Sequence, residues 1–304
     1  MTSLFTADHH GFYHKGVVFD PSQVVSIRLP AGLRDDLNWA GEIERGQEAV
    51  DAGRAILWEL DLGLSERIFT PAFLAHFSAL FLGVDEFCKQ ILSRFELHTF
   101  GVVLYKGGGD FARLFPKEAW EGEWNEDCKE ISLDEPTAYL LFCAGILSES
   151  LHSLVSLLPD SLLVFALIDI SSLSSFAVIA HLFLHERFEH VHLAFKGAQL
   201  PCSALLWQGD SLTYQAIPAS SGLLLPEDAS MTKTMLDWLD QVVTREKEKG
   251  RAFRVVAEEK LTEEWDGLDV LITPPEKVLG PQVRRKLKGF VAAGGSICER
   301  VDSL

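Results

Sequence analysis

Five carboxylates in this chain fall at or just beyond the ends of short apolar runs: Glu59, Asp61, Asp110, Asp169 and Glu258. If those runs are parallel strands, their last residues gather on one face, where side chains from different strands can meet around a single opening. Two carboxyl groups flanking a scissile bond, one protonated and one ionised, are what hydrolysis of a glycosidic bond requires. Glu59 and Asp61 are the hardest to dismiss. They stand two apart in Ala-Ile-Leu-Trp-Glu-Leu-Asp-Leu (55–62), so both project to one side of a strand while Trp58, Leu60 and Leu62 project to the other. Carboxylates in such a strand are costly if buried unpaired; cations such as Arg28 or Lys196 would neutralise them without any catalysis. Asp169, just before Ser171 and Ser172, reads equally as a helix N-cap, and Asp110, after three glycines, as a turn former. The catalytic candidates are therefore Glu59, Asp61, Asp110 and Asp169. Trp58, Trp120, Trp124 and Trp207 are candidates to stack on sugar rings, and Lys106 and Lys196 to contact a polar substrate.

Other chemistries find less support. His181 and His185 lie one helical turn apart and His190 and His192 share a strand parity, but no H-E-x-x-H is present, and solvated or capping histidines account for them. A metal-dependent hydrolase using His9, His10 or His14 with the strand-end acids is the weakest reading. Lys106-Gly-Gly-Gly-Asp110 fits neither the P-loop nor the dinucleotide-binding spacing and reads as a βα turn. No serine sits in G-x-S-x-G, and Cys202 has no evident base. The expectation is no metal and no cofactor.

The frame that must position these residues is clearest at 161–197. A continuously apolar segment to Asp169, a polar stop, a helix-length stretch and a second apolar segment make a β-α-β unit. A strand apolar at successive positions is covered on both faces, as in a parallel sheet with helices on it. Upstream, strands are expected at 24–29, 55–62 and 98–105, and helices at 38–53, 71–95 and 138–158. The insertion at 111–136 is long for a βα connection. Downstream, 204–208 and 212–217 are a hairpin or one kinked strand. The tail alternates strands at 223–226, 252–257, 269–273 and 296–298 with helices at 232–249 and 281–293, the last with proline at its start and Gly294-Gly295 at its end.

Composition narrows the class. The chain has 304 residues, 44 acidic against 27 basic, and a formal charge of -17, which disfavours a phosphate backbone as partner. The basic group Arg284, Arg285, Lys286 and Lys288 is local and reads as a solvated helix face. Five scattered cysteines without a C-x-x-C suggest free thiols in a reducing compartment. The first residues lack the basic flank and apolar core of a signal peptide. A membrane span at 162–184 is opposed by Asp169 and several serines. The expected setting is cytoplasmic, with a small-molecule or glycan substrate, no nucleic acid, no membrane, and a homo-oligomer left open.

Two stretches carry family resemblances. Trp265-Asp-Gly-Leu-Asp-Val-Leu-Ile-Thr-Pro, followed by Arg285-Lys-Leu-Lys-Gly-Phe-Val-Ala-Ala-Gly-Gly, resembles the glutamine-amidotransferase-like lobe appended to several glycoside-hydrolase barrels. The likeness covers about 40 residues. It lacks the nucleophile-elbow cysteine and a following His-x-Glu, so it implies packing or assembly rather than amidotransfer. Gly11-Phe-Tyr-His-Lys-Gly-Val-Val-Phe-Asp20 and Ile56-Leu-Trp-Glu-Leu-Asp-Leu62 resemble an uncharacterised conserved family of chlamydia-type bacteria, which implies no activity. The combined expectation is an α/β protein: a TIM-barrel-like (β/α) domain over 1–218 and a smaller C-terminal flavodoxin-like (amidotransferase-like) lobe over 219–304. The runner-up lets the tail supply the last barrel strands. The expected function is a carbohydrate-active, glycoside-hydrolase-like enzyme with paired strand-end carboxylates; the alternative is a non-catalytic binding or assembly protein on a degenerate barrel scaffold.

Overall fold

The structure, a computed structural model, describes residues 4–8, 11–29, 38–60, 72–108, 152–169, 191–196, 204–208, 211–215, 220–225 and 233–299. The chain is mixed α/β, with two sheets built largely or wholly of parallel strands. It begins with a small antiparallel sheet of β1 (Phe5–Asp8), β2 (Gly11–His14) and β3 (Val17–Phe19). The β2–β3 turn is Lys15-Gly16, with φ of 51° and 78°. Two consecutive positive φ values twist a two-residue loop the way paired strands twist; glycine takes this conformation without strain. The expectation for this His- and aromatic-rich segment included no strand, because its apolar residues match cross-strand partners rather than a periodicity of their own.

The main sheet has seven strands in the order β10-β9-β8-β7-β6-β5-β4. They are β4 (Val24–Arg28), β5 (Ala55–Glu59), β6 (Thr99–Gly108), β7 (Leu163–Asp169), β8 (Val191–Lys196), β9 (Ala204–Gln208) and β10 (Ser211–Gln215). From β4 to β9 every neighbouring pair is parallel. β10 turns back antiparallel on β9, which resolves the segment after residue 203 as a hairpin rather than a kinked strand or a further β-α unit. Cα atoms of β10 come within 8 Å of β4 and of the 3₁₀ turn Pro21–Gln23, so the two outer strands of the sheet approach each other.

One face of this sheet carries Val24, Ala55, Leu57, Val103, Leu163, Phe165 and Leu167, packed with Phe5 and Phe12 from the antiparallel sheet and with Phe100. Phe100 sits at a bulge, where Ile56 is opposite Thr99 but Leu57 is opposite Gly101. Its ring stacks on Phe165 (centroids 5.6 Å apart, planes at 15°) and meets Phe12 edge-on at 4.9 Å. Gly101 is required by this packing, because a Cβ there would lie 2.5 Å from the Phe165 ring and 2.6 Å from the Leu163 carbonyl oxygen. The carbonyl belongs to a paired strand and cannot swing away. Gly101→Ala is therefore expected to destabilise the chain by about 1–3 kcal/mol, the usual penalty of overpacking, read as a lower urea midpoint with an unchanged slope.

The opposite face is covered by helices. α1 (Ala40–Asp51) follows β4, and α2 (Ala72–Phe87) leads through a π-helical turn, Cys88–Leu92, into a last turn at Ser93–Phe95. Trp58 is fully buried beneath them, its ring centroid 6.2 Å from Phe87 and 5.6 Å from Phe95. Gly46 lets α1 approach closely: a Cβ there would stand 2.8 Å from Phe95 and 3.1 Å from Trp58.

The tail strands pair among themselves, so they do not supply strands to the main sheet. β11 (Ser221–Leu225), β12 (Arg254–Ala257), β13 (Val270–Ile272) and β14 (Ser296–Cys298) form a four-stranded parallel sheet in the order β12-β11-β13-β14. α3 (Lys233–Glu248), the short α4 (Leu261–Glu264) and α5 (Pro281–Ala292) connect them. The basic residues of α5 divide. Arg284 Nε donates to the Leu279 carbonyl at 3.0 Å and Lys286 Nζ to the carbonyls of Glu258 and Glu259 at 3.1 and 2.8 Å, while Arg285 and Lys288 are exposed. Among the described residues no helix is long and apolar enough to cross a membrane.

On α3, burial and the nearby Asp237 push the Asp240 carboxyl from its usual 3.8 up to about 6. A folded-state pKa above the unfolded one means that protonation favours the folded form. That stabilisation builds as pH falls through about 6 toward 3.8 and is absent at pH 8. Asp240→Asn is expected to raise stability at pH 8 by about 1 kcal/mol, after allowing for the solvent screening of a half-buried group. The gain over the parent should shrink as pH drops below 6, followed by thermal unfolding of both proteins across that range.

Candidate functional site

Glu59 ends β5 and is 5% exposed. By strand alternation it shares the face of Ala55 and Leu57, opposite to Trp58, and so lies beyond the aromatic cluster on the side toward the strands' carboxyl ends. Its backbone is held on both sides: the Glu59 carbonyl accepts from Leu29 N at 2.9 Å, and Leu60 N donates to the Val103 carbonyl at 3.0 Å. Its carboxylate is oriented as well, because the Ser26 hydroxyl on β4 donates to Oε1. The parallel register sets Arg28 beside Glu59 and Ser26 beside Leu57. Arg45 of α1 ties into the same corner, donating to the Arg28 carbonyl at 3.3 Å and to the Glu42 carboxylate at 2.8 Å. A buried carboxylate on a parallel strand paired on both sides, fixed at backbone and side chain, is preorganised for acid–base or nucleophilic work.

Ser26 was not among the residues singled out by sequence. Its signal is a hydroxyl at an alternate position of Val-Val-Ser-Ile-Arg, on the parity of Val24 and Arg28. Read against a neighbouring strand ending in glutamate, that hydroxyl is the expected partner. Without knowing that β4 lies beside β5, the two cannot be matched.

The other candidates distribute unevenly. Asp61, Asp110, Trp120 and Trp124 lie outside the described residues, as do His9, His10, His181, His185 and His190. Asp169 is the last residue of β7 and pairs in register with Gly108 of β6 and Lys196 of β8. Position 169 shares the parity of Phe165, the β7 residue level with Val103 and thus with Glu59. It lies four residues farther along and two strands across, about 16 Å from Glu59 in Cα by strand rise and spacing. At the backbone this exceeds the roughly 5–10 Å between the carboxyls of glycosidase pairs, so a paired role requires the two side chains to lean toward each other. Lys106 lies in β6 opposite Leu167, and Trp207 in β9 opposite Leu212.

Two expectations are corrected. Trp58 is 0% exposed on the helix-covered face, its Nε1 donating to Thr99 Oγ1 at 3.1 Å. A ring that stacks on a sugar must be reachable, so Trp58 is a core residue. Glu258 follows β12 of the four-stranded sheet, so it does not stand at a strand end of the sheet that holds Glu59.

At the amino ends of β6 and β7, a cavity of about 340 Å³ is lined by Leu4, Phe5, Leu97, Phe100 and Leu163 with Glu96. An adjoining cavity of about 420 Å³ is walled by the π turn, including Cys88. Burial and Asp85 push the Cys88 thiol up to about 11, so it is protonated and unreactive at neutral pH. His14 stacks on Phe5 with centroids 4.4 Å apart, and burial, Lys15 and His98 hold its pKa below the usual value. Among the described residues no group of three or more His, Cys, Asp or Glu is placed to hold a metal ion.

No protein-family model matches the chain, and no curated protein matches it in sequence. Among solved structures the chain is similar to the crystal structure of beta-galactosidase from the psychrophilic Marinomonas ef1, at 7% identity and a TM-score of 0.48, over 90% of this chain and 70% of that one.

Proposed function

We propose that this chain is a carbohydrate-active, glycoside-hydrolase-like enzyme in which Glu59 is one of two reacting carboxyls. The observation that carries the reading is the Glu59 carboxylate itself: buried, oriented by Ser26, and at the carboxyl end of a parallel strand paired on both sides, on the face away from the helices. That is where side chains from several strands converge in β/α architectures. The second carboxyl comes from Asp61, Asp110 or Asp169, the substrate is a glycan or small glycoside, and neither metal nor cofactor takes part.

The architecture that goes with this function is a (β/α)-barrel-like domain over 1–218 and a flavodoxin-like lobe over 219–304. The approach of β10 to β4 supports closure of the first sheet. The antiparallel sheet at the amino-terminal side, with Phe5 and Phe12 in the core, supports a barrel filled from below. The tail order, with its second strand outside its first and the third and fourth following, supports the flavodoxin-like lobe, which starts in the same order. The boundary near 218 falls between β10 of one sheet and β11 of the other.

The test is turnover of a panel of aryl glycosides by the purified chain and by Glu59→Gln. Turnover that depends on Glu59 supports the proposal. A wild-type chain inactive across α- and β-linked hexosides and pentosides returns it to the non-catalytic binding reading.

A further inference from the structure

We propose that the two adjoining cavities at the amino ends of β6 and β7 form one binding site for a small apolar amine. The hydrocarbon body of the ligand fills the first cavity and its ammonium group sits between Glu96 and Asp160. The cavities are continuous, because Leu92, Glu96, Pro159 and Ser161 line both. At about 340 and 420 Å³, each is in the size range of small-molecule pockets. β5 and β6 run parallel, so this site lies at the opposite end of the sheet from Glu59 and stands apart from the function proposed there.

The walls select the ligand. Phe5, Phe100 and Leu163, all buried in the core, line the first cavity, while Leu97 beside them is 65% exposed. An exposed leucine at an apolar cavity bordered by polar groups is surface that gains from being covered, and the two phenyl rings favour an aryl body. In the second cavity Asp160, Ser93 and Ser161 join Glu96. Among the described residues no Lys, Arg or His lines either cavity. Glu96 and Asp160 are both exposed, and among the described residues no cation pairs with either. Lys89, on the same helical segment as Glu96, is committed to Asp85 and Glu86 one turn back. A cationic head therefore meets two carboxylates that nothing neutralises, and an anionic head is repelled. The wall itself is unusual: Cys88 and Leu92, which both line the second cavity, are the first and last residues of the π-helical turn. Such single turns are rare and recur at functional sites.

Phenylbutylamine, phenylbutanol and phenylbutyrate share one body and differ in charge. Each is titrated at neutral pH into the full chain carrying labelled leucine methyls, followed by NMR. The amine should shift the methyls of Leu92, Leu97 and Leu163 with a dissociation constant below about 1 mM. The alcohol should bind roughly tenfold more weakly and the carboxylate more weakly still. An exposed ion pair contributes up to about fivefold, so Glu96→Gln and Asp160→Asn should each weaken the amine by about two- to fivefold, and the double variant by about tenfold. Both acids are exposed, so these variants keep the fold. Added salt should weaken the amine and leave the alcohol unchanged. Leucine methyls that stay unmoved by millimolar amine overturn the proposal. So does an alcohol that binds as tightly as the amine, or an amine that the double variant binds as tightly as the parent, because the acids then take no part. None of these readings depends on turnover of a glycoside.

Discussion

Glu59→Gln is expected to lower turnover of a cleaved aryl glycoside by roughly a hundred- to ten-thousandfold, the range in which a positioned acid–base group contributes. That is about 3–5 kcal/mol of transition-state stabilisation. The amide keeps the shape of the carboxyl and can still accept from the Ser26 hydroxyl, so the buried contact survives. Stability should change by about 1 kcal/mol or less. Loss of turnover without loss of folding is what separates a reacting carboxylate from one that only joins β4 to β5. Glu59→Ala is the less informative change, because it strands a Ser26 hydroxyl beside a new void and mixes destabilisation into the activity. Ser26→Ala offers the complement. The carboxylate stays but loses its orienting donor, so kcat should fall more than KM rises. If Glu59→Gln turns over at the parental rate, Glu59 is not the reacting group and the proposed function fails with it.

The strands were legible because burial on two faces leaves a plain trace. Ala-Ile-Leu-Trp-Glu and Leu-Val-Phe-Ala-Leu-Ile-Asp are apolar at successive positions, and both lie inside the parallel sheet with neighbours on either side. The tail was legible for a different reason: Pro281 opens α5, and Gly294, at φ of 103°, follows its end, so punctuation located the helix. The β1–β3 sheet was opaque. Its signal is Phe12 opposite Phe19 and Tyr13 opposite Val18, which appears only once the two-residue turn is known. The site was half legible. Parity put Glu59 and Trp58 on opposite faces, as they are, but parity does not say which face the helices cover. A tryptophan next to an acid looks like a sugar platform until Phe87 and Phe95 are found on top of it. Ser26 was hidden for the same kind of reason, since a hydroxyl in one strand gains meaning only from its neighbour's register.

Trp58→Ala is expected to destabilise the chain by about 3–5 kcal/mol, as truncating a fully buried large aromatic does. The ring is enclosed by Phe87, Phe95 and the backbone of α1 at Gly46, on three elements that cannot all move inward to fill the space. Its indole N–H also donates to Thr99 Oγ1, whose own hydroxyl is committed to the Phe95 carbonyl at 2.9 Å. Removing the indole leaves that oxygen with an unused acceptor site in a dry setting. Trp58→Phe separates the two contributions: it retains most of the packing, loses the hydrogen bond and should cost about 1–2 kcal/mol. Urea unfolding followed by circular dichroism reads both. A surface platform would behave in the opposite way, with Trp58→Ala near parental stability and a raised KM for the glycoside. Parental stability in Trp58→Ala would place the indole outside the core and undo the assignment of the two sheet faces. Glu59 would then face the helices, and the case for it as a reacting group rests on its facing away from them.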